Sequence, residues 1–226
     1  MVKDERHLDH PGEQAVHLFL MKYFYPIFHQ HEEVLDREQQ IAGIDAKLCI
    51  NNQWFTVDEK TQLTRLNQEI KPYTTQALEI LSKARNGSFR LGWIFNSQTD
   101  FYLFTYVTSC HTESKKDLTC DKIQKVRTVL ISKNQIIKML NDNGISLSNL
   151  KFFANRMVFD NYHTRKNEKE NTYIDFKNLT DKIWMCHTNP KNLAEMPVNC
   201  VIRWSLYEEY AWHVFDVTPT GVTKIK

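Results

Sequence analysis

Apolar residues in "GEQAVHLFLMKYFYPIF" recur at Val16, Leu20, Tyr23 and Phe24, the spacing of one helix face, with Pro11 and Pro26 at its two ends. The pattern predicts a helix from Gly12 to about Phe28. Residues 29–42 lose that period and predict a loop with a short strand near its end. From Gly43 the period changes to two. Ile44, Ala46, Leu48, Ile50, Phe55 and Val57 fall on one side of a hairpin, and Asp45, Lys47, Thr56, Asp58 and Lys60 on the other. A two-residue turn at Asn51-Asn52, residues that tolerate positive φ, fixes this register and sets Asp45 directly opposite Asp58.

Asn86-Gly87 is a further hairpin signal and predicts strands on both sides of it, followed by a third strand over Phe101 to Val107. The run "KVRTVLIS" predicts a strand that leads into a helix over "KNQIIKMLNDNG", with Ser132 suited to the N-cap and Gly144 to the stop. Residues 160–171 are polar without periodicity and predict an exposed loop, and the C-terminal third contains short, aromatic-rich strand-like runs. Together these elements predict a mixed α/β (α+β) fold: one domain over 1–226, with a central mixed β-sheet flanked by helices and a β-rich C-terminal extension, 146–226, at its periphery.

Composition narrows the class. A hydrophobic share of 42% suits a buried core, and no apolar run approaches the length of a membrane span. The charged N-terminus lacks the apolar centre of a signal peptide, and five cysteines without CxxC spacing do not form a disulfide framework, so the expected location is cytoplasmic, with no membrane partner. The net charge of +2 is too slight to demand a polyanionic partner, although Lys115, Lys116, Lys122, Lys125, Arg127, Lys133 and Lys138 form a local basic cluster. His29 and His31, and the scattered cysteines, lack the spacing of a transition-metal site.

The hairpin carries the chemistry. Like charges opposed across a strand pair destabilise a sheet, so a positive group must compensate. Two answers follow from the residues. Lys47 or Lys60 pairs with the aspartates as on an ordinary charged hairpin, or the two carboxylates share a hard divalent cation that takes oxygen ligands, such as Mg²⁺. The groove around such a site would draw its basic residues from Lys47, Arg65 and Lys71, which are the nearest in sequence.

"GID" on one strand and "VDEK" on the next resemble the PD-(D/E)xK nuclease superfamily, the restriction-endonuclease-like fold, and in wording come closer to its phage- and bacterium-encoded members. The likeness covers roughly residues 11–145. Ile44 stands where the motif's name has Pro, and Asp58 where Glu is more frequent. The resemblance implies a core of a helix, three or four mixed strands, a helix and a strand. It implies that Asp45 and Asp58 bind Mg²⁺, with Mn²⁺ as a substitute, that the main-chain carbonyl of Glu59 adds a ligand, and that Glu13 supplies a further acid from the helix. Lys60 would orient or help deprotonate the attacking water and stabilise the pentavalent phosphate, and Gln62 would contact the substrate or the metal's water shell. The implied partner is nucleic acid, DNA first; relatives often act as dimers, but no interface is visible in this sequence. The alternative is a non-catalytic nucleic-acid-binding or assembly protein on the same fold.

Overall fold

A computed structural model describes residues 11–63, 66–71, 74–84, 88–159, 165–167, 172–189 and 195–226. In chain order the elements are α1 (Pro11–Tyr23), a 3₁₀ turn at Tyr25–Ile27, β1 (Gln30–Glu33), α2 (Arg37–Ile41), β2 (Ala46–Ile50), β3 (Gln53–Gln62), β4 (Thr75–Ala84), β5 (Phe89–Leu91), α3 (Trp93–Asn96) and β6 (Phe101–Cys110). There follow β7 (Ile123–Ser132), α4 (Lys133–Asp142), α5 (Leu147–Phe159), β8 (Arg165–Asn167), β9 (Thr172–Asn178), β10 (Ile183–Asn189), β11 (Glu195–Arg203), α6 (Trp204–Tyr210), β12 (His213–Thr218) and β13 (Gly221–Lys224). The protein is a mixed α+β protein with two sheets. Among the described residues no helix is long and apolar enough to cross a membrane.

The chain forms two compact units. The first comprises the described residues of Met1–Lys71, Gln98–Lys133 and Tyr207–Lys226. Its sheet has seven strands in the order β1-β2-β3-β6-β7-β12-β13, antiparallel throughout except for the parallel pair β3 and β6. The helical stripe of α1 explains its seat: Ala15, Val16, Phe19 and Leu20 are buried in one cluster with Ala46, Leu48, Val57, Leu103, Val107 and Leu130. The apolar face of the hairpin thus lies against α1, and each large side chain so buried contributes about 1.5–3 kcal/mol. The second unit, Pro72–Ser97 and Asn134–Leu206, holds a six-stranded antiparallel sheet in the order β5-β4-β11-β10-β9-β8, with α5 against β4, β10 and β11.

Several elements differ from the sequence pattern. The strand expected late in residues 29–42 comes at the start of that stretch as β1, and the later residues form α2, capped by the Asp36 side chain, which accepts from Gln39 N at 2.9 Å. A polar edge strand has no apolar alternation to betray it, whereas the Asp36 cap was readable. Residues 165–167, inside the expected loop, form β8; the rest of 160–171 lies outside the described residues. "WSLYEEY" is the helix α6 and not a strand, with Trp204 and Tyr207 buried at helical spacing. The strands β12 and β13, expected at the periphery, complete the first unit's sheet beyond β7. Asn86-Gly87 lies outside the described residues, although β4 and β5 on either side pair antiparallel as expected. Gly144 takes φ +73 just past α4, as a helix stop requires.

Candidate active site

The turn of the β2–β3 hairpin is Asn51-Asn52, with φ of 52 and 64, the two positive values that a type I′ turn needs. Pairing runs from Ile50↔Gln53 through Cys49↔Trp54, Leu48↔Phe55 and Lys47↔Thr56 to Ala46↔Val57. There the ladder ends, one pair short of the expected direct opposition of Asp45 and Asp58. Asp45 keeps its main-chain N–H on Val57 O at 2.8 Å, and its own carbonyl accepts from Val34 N at 3.0 Å. Its side chain turns toward β3, where Oδ2 accepts from the Glu59 main-chain N–H at 2.8 Å. Side-chain reach, and not the ladder, brings the two acids together.

Asp58 is 1% exposed. Its Oδ1 accepts a hydrogen bond from Lys60 Nζ, and its Oδ2 is buried without a hydrogen-bond partner. Burial pushes its carboxyl up to about 7; the Lys60 ammonium pulls it down, and the neighbouring Asp45 carboxylate pushes it up again. The Lys60 side chain is 26% exposed and is the route from this buried acid to the surface. A carboxylate oxygen buried with no donor is costly, and a cation beside it would relieve that cost.

The parallel pairing places Asp58 beside Tyr102, Lys60 beside Phe104 and Gln62 beside Tyr106. All three aromatic rings are buried, so the acid sits in an apolar wall that accounts for its desolvation. The same face continues from Gln62 across Tyr106 to Arg127 and Asp216 in register. Arg127 and Lys125 line a pocket of about 450 Å³ with Glu69, Ile70, Thr108 and Ser109. Both cations are matched: Lys125 lies 2.8 Å from Asp216, and Arg127 forks onto Asp216 and reaches Glu208 at 3.0 Å. With Glu69 also in its wall, the pocket presents no bare cationic surface to a phosphate among the described residues.

Of the other expected residues, Lys47 lies between Glu32 on β1 and Thr56 on β3, half-buried on the Asp58 side of the sheet by strand alternation. Glu13 is in the first turn of α1, four residues before His17 and so on the same helix face. Arg65 lies outside the described residues. The Glu59 side chain points to the α1 side of the sheet, away from Asp58 and Lys60, which leaves only its main chain on the site. There its carboxylate accepts from Tyr25 Oη at 2.6 Å and faces His17 Nδ1 at 3.0 Å, while His17 Nε2 faces Glu33 Oε1 at 2.8 Å. Sequence reasoning missed this cluster. The one signal was a histidine on the buried stripe of α1, next to Val16 and one turn before Leu20.

Among the described residues no group of three or more His, Cys, Asp or Glu side chains is arranged to hold a metal ion. Two carboxylates with an orphaned oxygen fit a cation that completes its shell with main-chain oxygen, water and phosphate, which is the habit of Mg²⁺ and does not suit zinc. No protein-family model, no curated protein and no solved structure matches this chain.

Proposed function

We propose that the protein is a metal-dependent phosphodiesterase of the PD-(D/E)xK, restriction-endonuclease-like class, which hydrolyses phosphodiester bonds of nucleic acid, DNA first. The observation that carries this reading is the buried Asp58, whose Oδ2 has no donor while Asp45 stands beside it and Lys60 Nζ caps its other oxygen. The topology supports it too. α1 is followed by β1, β2 and β3 and then by β6 in one mixed sheet, which agrees with the helix and mixed strands that the resemblance implies. Between β3 and β6, however, the chain runs through β4, β5 and α3 of the second unit and not through a single helix.

Asp45 and Asp58 are the residues that would hold Mg²⁺ or Mn²⁺. Once bound, the cation supplies positive charge against that developing on the phosphate oxygens and acidifies water. Lys60, partly exposed beside Asp58, carries a second positive charge to the place where a phosphate must approach. Strand alternation puts Gln62 on the same face one step further along β3, where it can meet the neighbouring part of the strand.

Incubation of plasmid and oligonucleotide substrates with Mg²⁺, Mn²⁺ or EDTA tests the proposal. Cleavage is expected with either metal, none in EDTA, and none for Asp58→Ala with an unchanged circular dichroism spectrum. Full activity of a folded Asp58→Ala protein sinks the assignment. A second reading, nucleic-acid binding without turnover, is favoured by the burial of Asp58 and by the Lys60 ammonium already paired with it. Metal-independent DNA binding with no cleavage under any condition selects it.

A further inference from the structure

We propose that His17, Tyr25 and Glu33 are positioning residues for the candidate metal centre, acting from the far side of the sheet through Glu59. The inference rests on the reading of Asp45 and Asp58 as cation ligands. Glu59 is the residue between Asp58 and Lys60, so whatever holds its side chain also holds the main chain that carries both of them. That side chain is 5% exposed and is gripped at two points, by Tyr25 Oη at 2.6 Å and by His17 Nδ1 at 3.0 Å from each carboxylate oxygen. His17 is in turn held at its other nitrogen by Glu33 at 2.8 Å, so the ring cannot turn without losing a partner. His31 stacks on the Tyr25 ring with centroids 5.8 Å apart and limits the tyrosine as well.

Four elements meet in this cluster: α1 through His17, the 3₁₀ turn through Tyr25, β1 through Glu33 and β3 through Glu59. On the near side the Glu59 N–H is not spent in the β2 ladder but donated to the Asp45 carboxylate. The path is therefore continuous, from the His17 ring through the Glu59 side chain and its own amide to Asp45. The Asp45 carboxylate lies just outside its strand, and this donor helps to aim it. Partners of this kind, which touch a ligand's support and not the metal, typically change metal affinity or activity 10–100-fold when removed.

The test uses the full chain with Tyr25→Phe, which removes one hydroxyl and keeps the ring, and His17→Gln. Two readouts are taken: hydrogen exchange of the Glu59 amide relative to amides of β6 and β7, and Mn²⁺ affinity by electron paramagnetic resonance. The expected result is an exchange rate at Glu59 raised about tenfold or more, with β6 and β7 still protected, and Mn²⁺ binding weakened 10–100-fold. Unchanged Glu59 exchange in a folded Tyr25→Phe protein overturns the inference. Loosened exchange with unchanged Mn²⁺ affinity also overturns it, since the cluster would then be structural only. If the unaltered chain binds no Mn²⁺, the metal reading itself fails; the exchange data still show whether the cluster holds Asp45 in place.

Discussion

The Asp45 carboxylate is held by the Glu59 main-chain N–H at 2.8 Å, one residue beyond the end of the β2 ladder. This bond gives Asp45 two separable duties, as an acceptor and as a charge. Asp45→Ala removes both and leaves a main-chain donor without its partner, at a cost of about 1–3 kcal/mol. Asp45→Asn keeps an acceptor oxygen and removes the charge. The expected outcome is a lowered Tm for the alanine variant, a Tm near the original for asparagine, and cleavage lost in both by on the order of 100-fold or more. Thermal melts and single-turnover cleavage check it.

Asp58 links the metal-free stability of the chain to pH. Its carboxyl is raised from an ordinary 3.8 to about 7, chiefly by burial. A raised folded-state value favours the protonated form, so the full stability is present below the unfolded value and is lost as pH rises from there through the folded value. Stability should fall between about pH 4 and pH 7 and then level, by an amount of about a few kcal/mol. Asp58→Asn has no charge to bury and should not show that fall. Its advantage over the original chain should therefore grow across the window and be largest at pH 8, as read by urea unfolding with EDTA present. Parallel pH profiles for the two proteins would refute the assignment.

The Asn51-Asn52 turn holds two non-glycine residues at φ of 52 and 64. Left-handed backbone costs an ordinary L-residue roughly 1–2 kcal/mol, less for asparagine and nothing for glycine. Asn52→Gly should raise Tm by a few degrees without altering cleavage, whereas Asn52→Val should lower it. Calorimetry on the two variants checks the sign.

Gly92 sits against β4 so closely that a Cβ would fall 2.0 Å from Glu79 O and 2.3 Å from its carbonyl carbon. These are main-chain atoms of a strand and cannot swing away. Gly92→Ala should destabilise by about 1–3 kcal/mol or more, with increased hydrogen exchange concentrated in β4 and β11. Unaltered protection there would contradict the packing.

The hairpin was the part most legible in the chain. Its apolar alternation, its Asn-Asn turn and the side chosen by Asp58 and Lys60 are local properties that no distant contact needs to supply. The α1 stripe and the Gly144 stop are local in the same sense. The polar strand β1 left no mark because its identity comes from pairing with β2 and not from its own side chains. The aromatic content of "WSLYEEY" resembles a strand, yet Trp204 and Tyr207 are buried one helical turn apart.

The sequence by itself determined the hairpin's register from Ile50↔Gln53 to Ala46↔Val57, since a fixed turn and a period of two leave no freedom there, but not how Asp45 beyond the ladder reaches β3. Only the tertiary structure decided what those residues became. The parallel partner β6 surrounds Asp58 with Tyr102 and Phe104 and so raises its carboxyl, and a helix 42 residues upstream of Glu59 brings His17 to its carboxylate. Neither has a local signature, because burial and long-range hydrogen bonds depend on which surfaces meet when the chain closes on itself, and an acid in the sequence looks the same whether water or a wall of aromatic rings will surround it.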